Sequence, residues 1–138
     1  MTLQNESQLP SVKLFIKNDD GLKTLDISDW SKGKKIVFFC VPGAFTKTCS
    51  DRHLPEFIKY REKFAKKGID AVVCIAVNDP NVMKAWGENQ NVGTKILMVG
   101  DPFLKFTKSI GSVVDKSAKG LGMRSNRYTM LVENEVLK

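Results

Sequence analysis

The most informative stretch of the sequence is KIVFFCVPGAFTKTC, residues 35–49. Residues 36–41 form a continuous apolar run, which is typical of a central strand that is covered on both faces. A Pro-Gly break and a polar turn follow this run. Cys40 lies inside the apolar run, where cysteines usually pack as small hydrophobic side chains, whereas Cys49 lies in the polar turn. We therefore interpret Cys40 as a core residue and Cys49 as a thiol that other molecules can reach.

Strand patterns alternate with helical patterns on both sides of this stretch. The strand patterns begin with an N-terminal β-hairpin that has an Asp-Gly turn, and they are found at residues 11–27, 35–41, 69–77, 95–99, 127–133 and from 136 onward. The helical patterns are a short turn at residues 28–32, a long helix that ends at Gly68, and helices that open at Asp79-Pro80 and Asp101-Pro102.

This alternation predicts the fold class α/β, with right-handed crossovers between the strands. We expect a thioredoxin-like fold with a mixed central sheet, helices on both faces and the N-terminal β-hairpin at one edge. One half of the sheet should be parallel and the other antiparallel. Working sites of open α/β sheets lie beyond the carboxyl ends of the strands, which is where residues 42–49 should lie.

Length and composition predict a single domain over residues 1–138, of 42% hydrophobic and 27% charged residues. No apolar run approaches the length of a membrane span, so we expect no membrane partner. The net charge is +7, but the basic residues are spread along the chain, which argues against a nucleic-acid partner. The start lacks a secretory signal, so we expect a cytoplasmic location, or an organelle if a targeting peptide has been removed.

The chain has three cysteines and one histidine. An odd and sparse cysteine count argues against a disulfide framework, and the absence of close-spaced ligand pairs argues against a zinc site. We therefore expect free thiols in a reducing compartment and no zinc site.

Cys49 is expected in the first turn of the long helix, which Pro55 should kink or split. Thr48, Cys49, Ser50 and Asp51 fit a capping-box pattern with Thr48 as N-cap, and Thr46 is a rival cap. Unpaired backbone N–H groups and the helix dipole at this end favour an anion, and they lower the pKa of a cysteine thiol. The pattern predicts a nucleophilic thiolate.

The octapeptide PGAFTKTC also fits the P-x-x-x-T-x-x-C motif of the peroxiredoxins. The runs VPGAFTKTCSDRHLPEF (41–57), VNDPNVMKAWG (77–87) and GLGMRSNRYTMLVE (120–133) together resemble the type II group, which includes the plant-type and the atypical two-cysteine members. The resemblance covers residues 10–138. It implies a thiol-dependent peroxidase that reduces hydrogen peroxide and alkyl hydroperoxides in antioxidant defence and requires no metal or organic cofactor.

The resemblance also implies roles for individual residues. Cys49 matches the peroxidatic cysteine, Thr46 the active-site threonine, Pro42 the proline that covers the site, and Arg127 the arginine from a later strand. Arg124 is a neighbouring competitor for the role of Arg127. Thr48 and His53 are candidates for the surrounding shell, with packing or hydrogen bonding favoured over acid–base work for His53.

Attack on a peroxide leaves Cys49 as a sulfenic acid, which condenses with a thiol. We expect an external thiol, either glutathione with glutaredoxin or thioredoxin. An internal Cys49–Cys74 disulfide is the alternative, and it would require the first turn of the helix to unwind because Cys74 lies in a buried strand. A redox-signalling module that passes oxidation to a partner protein and a non-catalytic scaffold with a basic face are further readings. The resemblance also implies a homodimer and a last helix that this chain lacks.

Overall fold

A computed structural model describes residues 7–47, 52 and 54–138 of the chain. The elements, in chain order, are β1 (Lys13–Asn18), β2 (Gly21–Asp26), α1 (Ile27–Trp30), β3 (Lys35–Val41), α2 (Leu54–Lys66), β4 (Ala71–Ala76), α3 (Pro80–Asn89), β5 (Leu97–Gly100), α4 (Lys105–Ser109), β6 (Val113–Asp115), β7 (Met123–Ser125), β8 (Tyr128–Glu133) and β9 (Val136–Leu137). Among the described residues, no helix combines the length and hydrophobicity needed to cross a bilayer.

Seven strands form one sheet in the order β2-β1-β5-β4-β3-β8-β9. Strands β5, β4 and β3 pair in parallel, and every other pair in this sheet is antiparallel. The α/β class, the mixed sheet and the N-terminal hairpin are confirmed. The expected division into a parallel and an antiparallel half is wrong, because the hairpin adds antiparallel strands beside β5 while β8 adds one beside β3. The parallel strands therefore occupy the centre.

Strand β3 is buried on both faces, as its apolar run predicts. Phe38 and Cys40 belong to the core cluster that contains Phe106 of α4, while Phe39 belongs to the cluster on the opposite face. The ring of Phe39 stacks on Phe57 of α2, with ring centroids 4.0 Å apart. Burial of one such side chain stabilises the fold by about 1.5–3 kcal/mol. Helices α2 and α3 cover this second face and α1 and α4 cover the first, so the prediction of helices on both faces is confirmed.

The N-terminal hairpin turns one residue earlier than predicted. Asn18 pairs with Gly21, so the two-residue loop is Asp19-Asp20 and the glycine opens β2. The Asn18 side chain accepts a hydrogen bond from the Asp20 amide at 2.9 Å. Gly21 has φ +118°, a conformation that favours glycine.

Helix α3 begins as predicted, with Asp79 as N-cap accepting from the Val82 amide at 3.0 Å. The same prediction for α4 is wrong, because α4 begins at Lys105 and not at Pro102. Leu104 adopts a left-handed conformation, with φ 63°, which separates the Asp-Pro pair from the helix. Asp101 still caps α4 from a distance: its carboxylate accepts from the amides of Phe106 and Thr107 and from the Thr107 hydroxyl.

The Gly-, Ser- and Lys-rich segment before β8 has no strand or helical pattern in the sequence and would be expected to form a loop, but this expectation is wrong. It contains β6 and β7, which pair in a separate two-stranded sheet. A 3-10 turn at Ser117–Lys119 joins them. This β6–β7 hairpin stands next to the predicted site, as described below.

Candidate active site

The loop after β3 begins at Pro42, beyond the carboxyl ends of the parallel strands, as predicted. Phe45 has φ 61°, a rare value for a residue other than glycine, and this residue turns the loop back on itself. The Ala44 amide donates to the side-chain oxygen of Asn78 at 2.9 Å. Because Asn78 follows β4, this bond ties the loops after two neighbouring strands together.

The hydroxyl of Thr46 donates to the Gly43 carbonyl at 2.7 Å. A hydroxyl has one proton and two lone pairs, so the remaining capacity of this oxygen is to accept. The sequence offers two roles for Thr46, a helix cap or an active-site threonine. Thr46 is half-buried and lines the cavity described next.

Arg127 reaches this loop although it lies eighty residues further along the chain. The next residue, Tyr128, pairs with Cys40 in the antiparallel register of β8 and β3. Arg127 therefore lies beside the end of β3, where the loop begins. A cavity of about 270 Å³ is lined by Pro42, Thr46 and Arg127, together with Lys47, Lys116, Lys119 and Leu121. Three of the residues predicted from the sequence thus meet around one cavity.

Arg124 is also at the site, in a different position from Arg127. Its Nε donates to the Leu121 carbonyl at 2.8 Å, and its Nη1 lies 3.4 Å from the Pro42 carbonyl. This guanidinium connects the β6–β7 hairpin to the loop after β3. It also fills the space above Gly43, because a Cβ built on that glycine would lie 2.7 Å from Nη1.

The two described cysteines are buried, Cys40 at 1% and Cys74 at 0% exposure. They face opposite sides of the sheet, since Cys40 belongs to the α4 cluster and Cys74 to the α2 cluster. Burial raises the pKa of the Cys40 thiol to about 12, so this thiol is protonated at neutral pH. The prediction of Cys40 as a core residue is confirmed. Cys49, Thr48 and His53 lie outside the described residues.

Three lysines also line the cavity: Lys47, Lys116 and Lys119. From the sequence, basic residues such as these are expected only to be dispersed over the surface. The sequence signal that could have found two of them, Lys116 and Lys119, is the short basic segment DKSAKGLGMR, residues 115–124, in which glycines indicate a tight turn. Within the described ranges, no group of three or more His, Cys, Asp or Glu side chains is placed to hold a metal ion.

Comparison with known proteins identifies the class to which this fold and site belong. The family model described as Redoxin matches residues 4–138. Peroxiredoxin-2D of Arabidopsis thaliana is 42% identical over 87% of this chain and 74% of its own length. Peroxiredoxin-2E-2, chloroplastic, of Oryza sativa is 42% identical over 99% of this chain, which spans 63% of that relative. Further relatives include a mitochondrial protein, Peroxiredoxin-2F of Arabidopsis thaliana.

Solved structures agree with the sequence relatives. Reduced Prx3 of Vibrio vulnificus in complex with hydrogen peroxide superposes with a TM-score of 0.94 at 40% identity, covering 99% of this chain and 85% of that one. The oxidized form of the same protein gives a TM-score of 0.91. The chain therefore belongs to the redoxin family, and within it to the peroxiredoxins, which are thiol-dependent peroxidases. Its plant relatives are Peroxiredoxin-2 proteins, which fits the type II group indicated by the motifs.

Proposed function

We propose that this protein reduces hydrogen peroxide and alkyl hydroperoxides with Cys49 as the peroxidatic thiol, and that an external thiol regenerates it. The observation that carries the proposal is the meeting of Pro42, Thr46 and Arg127 around one cavity at the end of β3. The Vibrio vulnificus relative is described in complex with hydrogen peroxide, which supports the same substrate for this chain.

In the proposed reaction, the Cys49 thiolate attacks one peroxide oxygen, an S–O bond forms and the O–O bond breaks. The departing oxygen takes a proton and leaves as water or an alcohol, and Cys49 becomes a sulfenic acid. Negative charge develops on the departing oxygen, and Arg127 is always charged and carries several donors that can stabilise it. The Thr46 oxygen accepts from the peroxide O–H and aligns the attack. Pro42 is buried, lacks an N–H group and shields the sulfur from bulk water.

An external reductant is favoured by the position of Cys74. This residue lies on β4, two residues before the strand ends at Ala76, and it is fully buried beneath α2. A disulfide requires Cα atoms within about 7 Å and converging side chains. An internal Cys49–Cys74 bond would therefore require the chain above β4 to open.

The proposal is tested by mixing the protein with one equivalent of hydrogen peroxide and following the cysteines by mass spectrometry. We expect a sulfenic acid on Cys49, peroxide consumption in Cys40→Ser, and none in Cys49→Ser. Normal turnover by Cys49→Ser would contradict the assignment. With a small thiol present, we expect a mixed disulfide on Cys49 in both wild type and Cys74→Ser. An internal disulfide that is lost in Cys74→Ser would support the alternative Cys49–Cys74 cycle. If candidate partner proteins are added and Cys49 forms a mixed disulfide with only one of them, that result would support a redox-signalling module.

We also propose a homodimer. Two of the exposed large apolar side chains, Phe45 at 53% and Phe103 at 64% exposure, lie on loops that follow the parallel strands β3 and β5. Exposed aromatic residues grouped at one end of a sheet are typical of an interaction surface.

The proposed location is the cytoplasm or an organelle. Chloroplastic and mitochondrial relatives support the organelle. Cell fractionation distinguishes the two.

A further inference from the structure

The lining of the cavity carries more positive charge than peroxide reduction requires. Lys47, Lys116 and Lys119 line it in addition to Arg127, and none of the described residues that line it is acidic. We name these three lysines the lysine rim. A concave surface lined by charges of one sign concentrates molecules of the opposite sign. Hydrogen peroxide is small and uncharged, so the rim is of little use for attracting it.

The rim is held in place by the β6–β7 hairpin. The Lys116 amide donates to the Gly122 carbonyl at 2.7 Å, and the Lys116 carbonyl accepts from Lys119 and Leu121. Gly120 and Gly122 have φ values of 75° and 73°, which close this tight loop. Arg124 then fixes the hairpin against the loop after β3 through the carbonyls of Leu121 and Pro42. The lysines of the hairpin are therefore presented from an ordered backbone.

The charge of the rim is not neutralised within the part of the chain that the structure describes. The ion pairs found there involve Lys32 and Lys84, and not the rim. Asp115 is the nearest acidic residue in sequence to Lys116, and its carboxylate accepts from the Ser117 amide at 2.8 Å. Lys47 and Lys119 are exposed and Lys116 is half-buried, so all three can meet a molecule that enters the cavity.

We propose that the lysine rim binds the carboxylates of an anionic low-molecular-weight thiol and so selects this class of reductant. The inference rests on the proposed function, in which an external thiol reduces the sulfenic acid of Cys49. The reductant releases its thiol proton, and its thiolate sulfur attacks the sulfenic sulfur. An S–S bond forms, the S–O bond breaks, and the leaving hydroxide takes up the released proton and departs as water. A second thiolate attacks the mixed disulfide, which releases the oxidised disulfide of the reductant and returns the Cys49 thiolate.

The test measures the rate of this step with thiols of different charge. Cys49 is first converted to the sulfenic acid with one equivalent of peroxide and is then mixed with glutathione, whose carboxylates outnumber its ammonium group, or with neutral 2-mercaptoethanol. In Lys116→Glu/Lys119→Glu, we expect the ratio of the glutathione rate to the mercaptoethanol rate to fall about tenfold or more. In wild type, added salt should lower the same ratio.

The matched control is Lys66→Glu/Lys67→Glu at the far end of α2, which changes the net charge by the same amount. A helix of this length places Lys66 about 20 Å from Leu54 at the start of α2. The inference would be overturned if the ratio of the glutathione rate to the mercaptoethanol rate fell equally in the control. It would also be overturned if both rates fell by the same factor in the rim variant. A rim variant that slows only an acidic protein reductant would overturn it as well, because that result would assign the rim to a protein. Lys116→Gln/Lys119→Gln is a second rim variant in case the charge-reversal variant does not fold. We expect a smaller fall in the ratio of thiol rates for it.

Failure of the inference is distinguishable from failure of the proposed function. Formation of the sulfenic acid on Cys49 is recorded by mass spectrometry before any thiol is added. If it does not form, the proposed function fails. If it forms and the thiol rates show no dependence on charge, only the lysine rim proposal fails.

Discussion

At the scale of single residues, the site depends on two arginines that do different work. Arg127 lines the cavity, whereas Arg124 bonds to backbone carbonyls. We expect Arg127→Gln to lower the second-order rate constant for peroxide about 10²–10³-fold, because one donor to a developing oxyanion is lost. Stopped-flow measurement of sulfenic acid formation checks this. Arg61→Gln is the control, since Arg61 bonds to the backbone at Lys95 and Asp70, remote from the cavity. A rate within twofold of wild type in Arg127→Gln would contradict the role.

Gly43 and Arg124 should behave as a coupled pair. A methyl group on Gly43 would lie 2.7 Å from Arg124 Nη1, and the flexible guanidinium can move away. We expect Gly43→Ala to break the contact between Arg124 and the Pro42 carbonyl and to slow peroxide reduction. The free energy of unfolding should change by about 1 kcal/mol or less. In a double-mutant cycle with Arg124→Ala, the combined loss of rate should be smaller than the sum of the single losses. Additive losses would show that Gly43 acts independently of Arg124.

Cys40 gives a pH dependence whose sign follows from burial. Its pKa rises from the ordinary 9.0 to about 12 in the folded protein. Between these values the unfolded chain has lost the thiol proton and the folded chain has kept it, so the free energy of unfolding falls as pH rises above 9. The slope from one such proton is at most about 1.4 kcal/mol per pH unit.

Urea titrations between pH 8.5 and 10 measure this slope. We expect it to be shallower in Cys40→Ala than in wild type, although the variant is less stable throughout because of the cavity it leaves. The free energy of unfolding at any one pH reports the loss of packing, and its slope with pH reports ionisation, so the two effects can be separated. An unchanged slope would mean that the folded thiol ionises normally.

At the scale of elements, α4 depends on one buried carboxylate. Asp101 is 1% exposed and accepts from the Phe106 and Thr107 amides and the Thr107 hydroxyl. We expect Asp101→Ala to lower the free energy of unfolding by about 2–4 kcal/mol, because buried donors lose their partner. Asp79→Ala is the matched control: Asp79 caps α3 through the Val82 amide near the surface, and its loss should cost about 1 kcal/mol. Equal losses in the two variants would contradict this account.

The elements that could be predicted from the sequence are those with a strong local signal. Continuous apolar runs identify β3 and β4, and Asp79-Pro80 identifies the start of α3. The β6–β7 hairpin was missed because strands of three residues are too short to show a readable periodicity. The start of α4 was misplaced because nothing local indicates that Leu104 adopts a left-handed conformation.

The site was predictable in part and for a different reason. The resemblance alone related Arg127 to Pro42 and Thr46, because eighty residues separate them and only the β3–β8 register brings them together. The lysine rim as a whole was not predictable, since Lys47 lies in the loop after β3, Lys116 and Lys119 lie between β6 and β7, and no sequence pattern relates the two places.

At the scale of the whole molecule, the exposed aromatic side chains at one end of the sheet should control assembly. We expect Phe45→Asp and Phe103→Asp each to shift the protein from dimer to monomer in sedimentation velocity, because a charge buried in an apolar interface is unfavourable. Ala65→Asp adds the same charge to the exposed surface of α2 and should leave the dimer intact. A wild-type protein that sediments as a monomer at micromolar concentration would contradict the proposed homodimer.

The β6–β7 hairpin stands outside the seven-stranded sheet, and this has a consequence for how the protein can diversify. A peroxidase of this kind alternates between an oxidising and a reducing half-reaction. The residues proposed for the oxidising half-reaction belong to the main sheet and its loop, whereas two of the three proposed for the reducing one belong to the hairpin. With these proposed roles, we expect that replacement of residues 116–120, with Leu121 and Arg124 kept as the anchor, exchanges the electron donor while the oxidant stays the same. The two substrates would then be recognised by parts of the chain that can evolve separately.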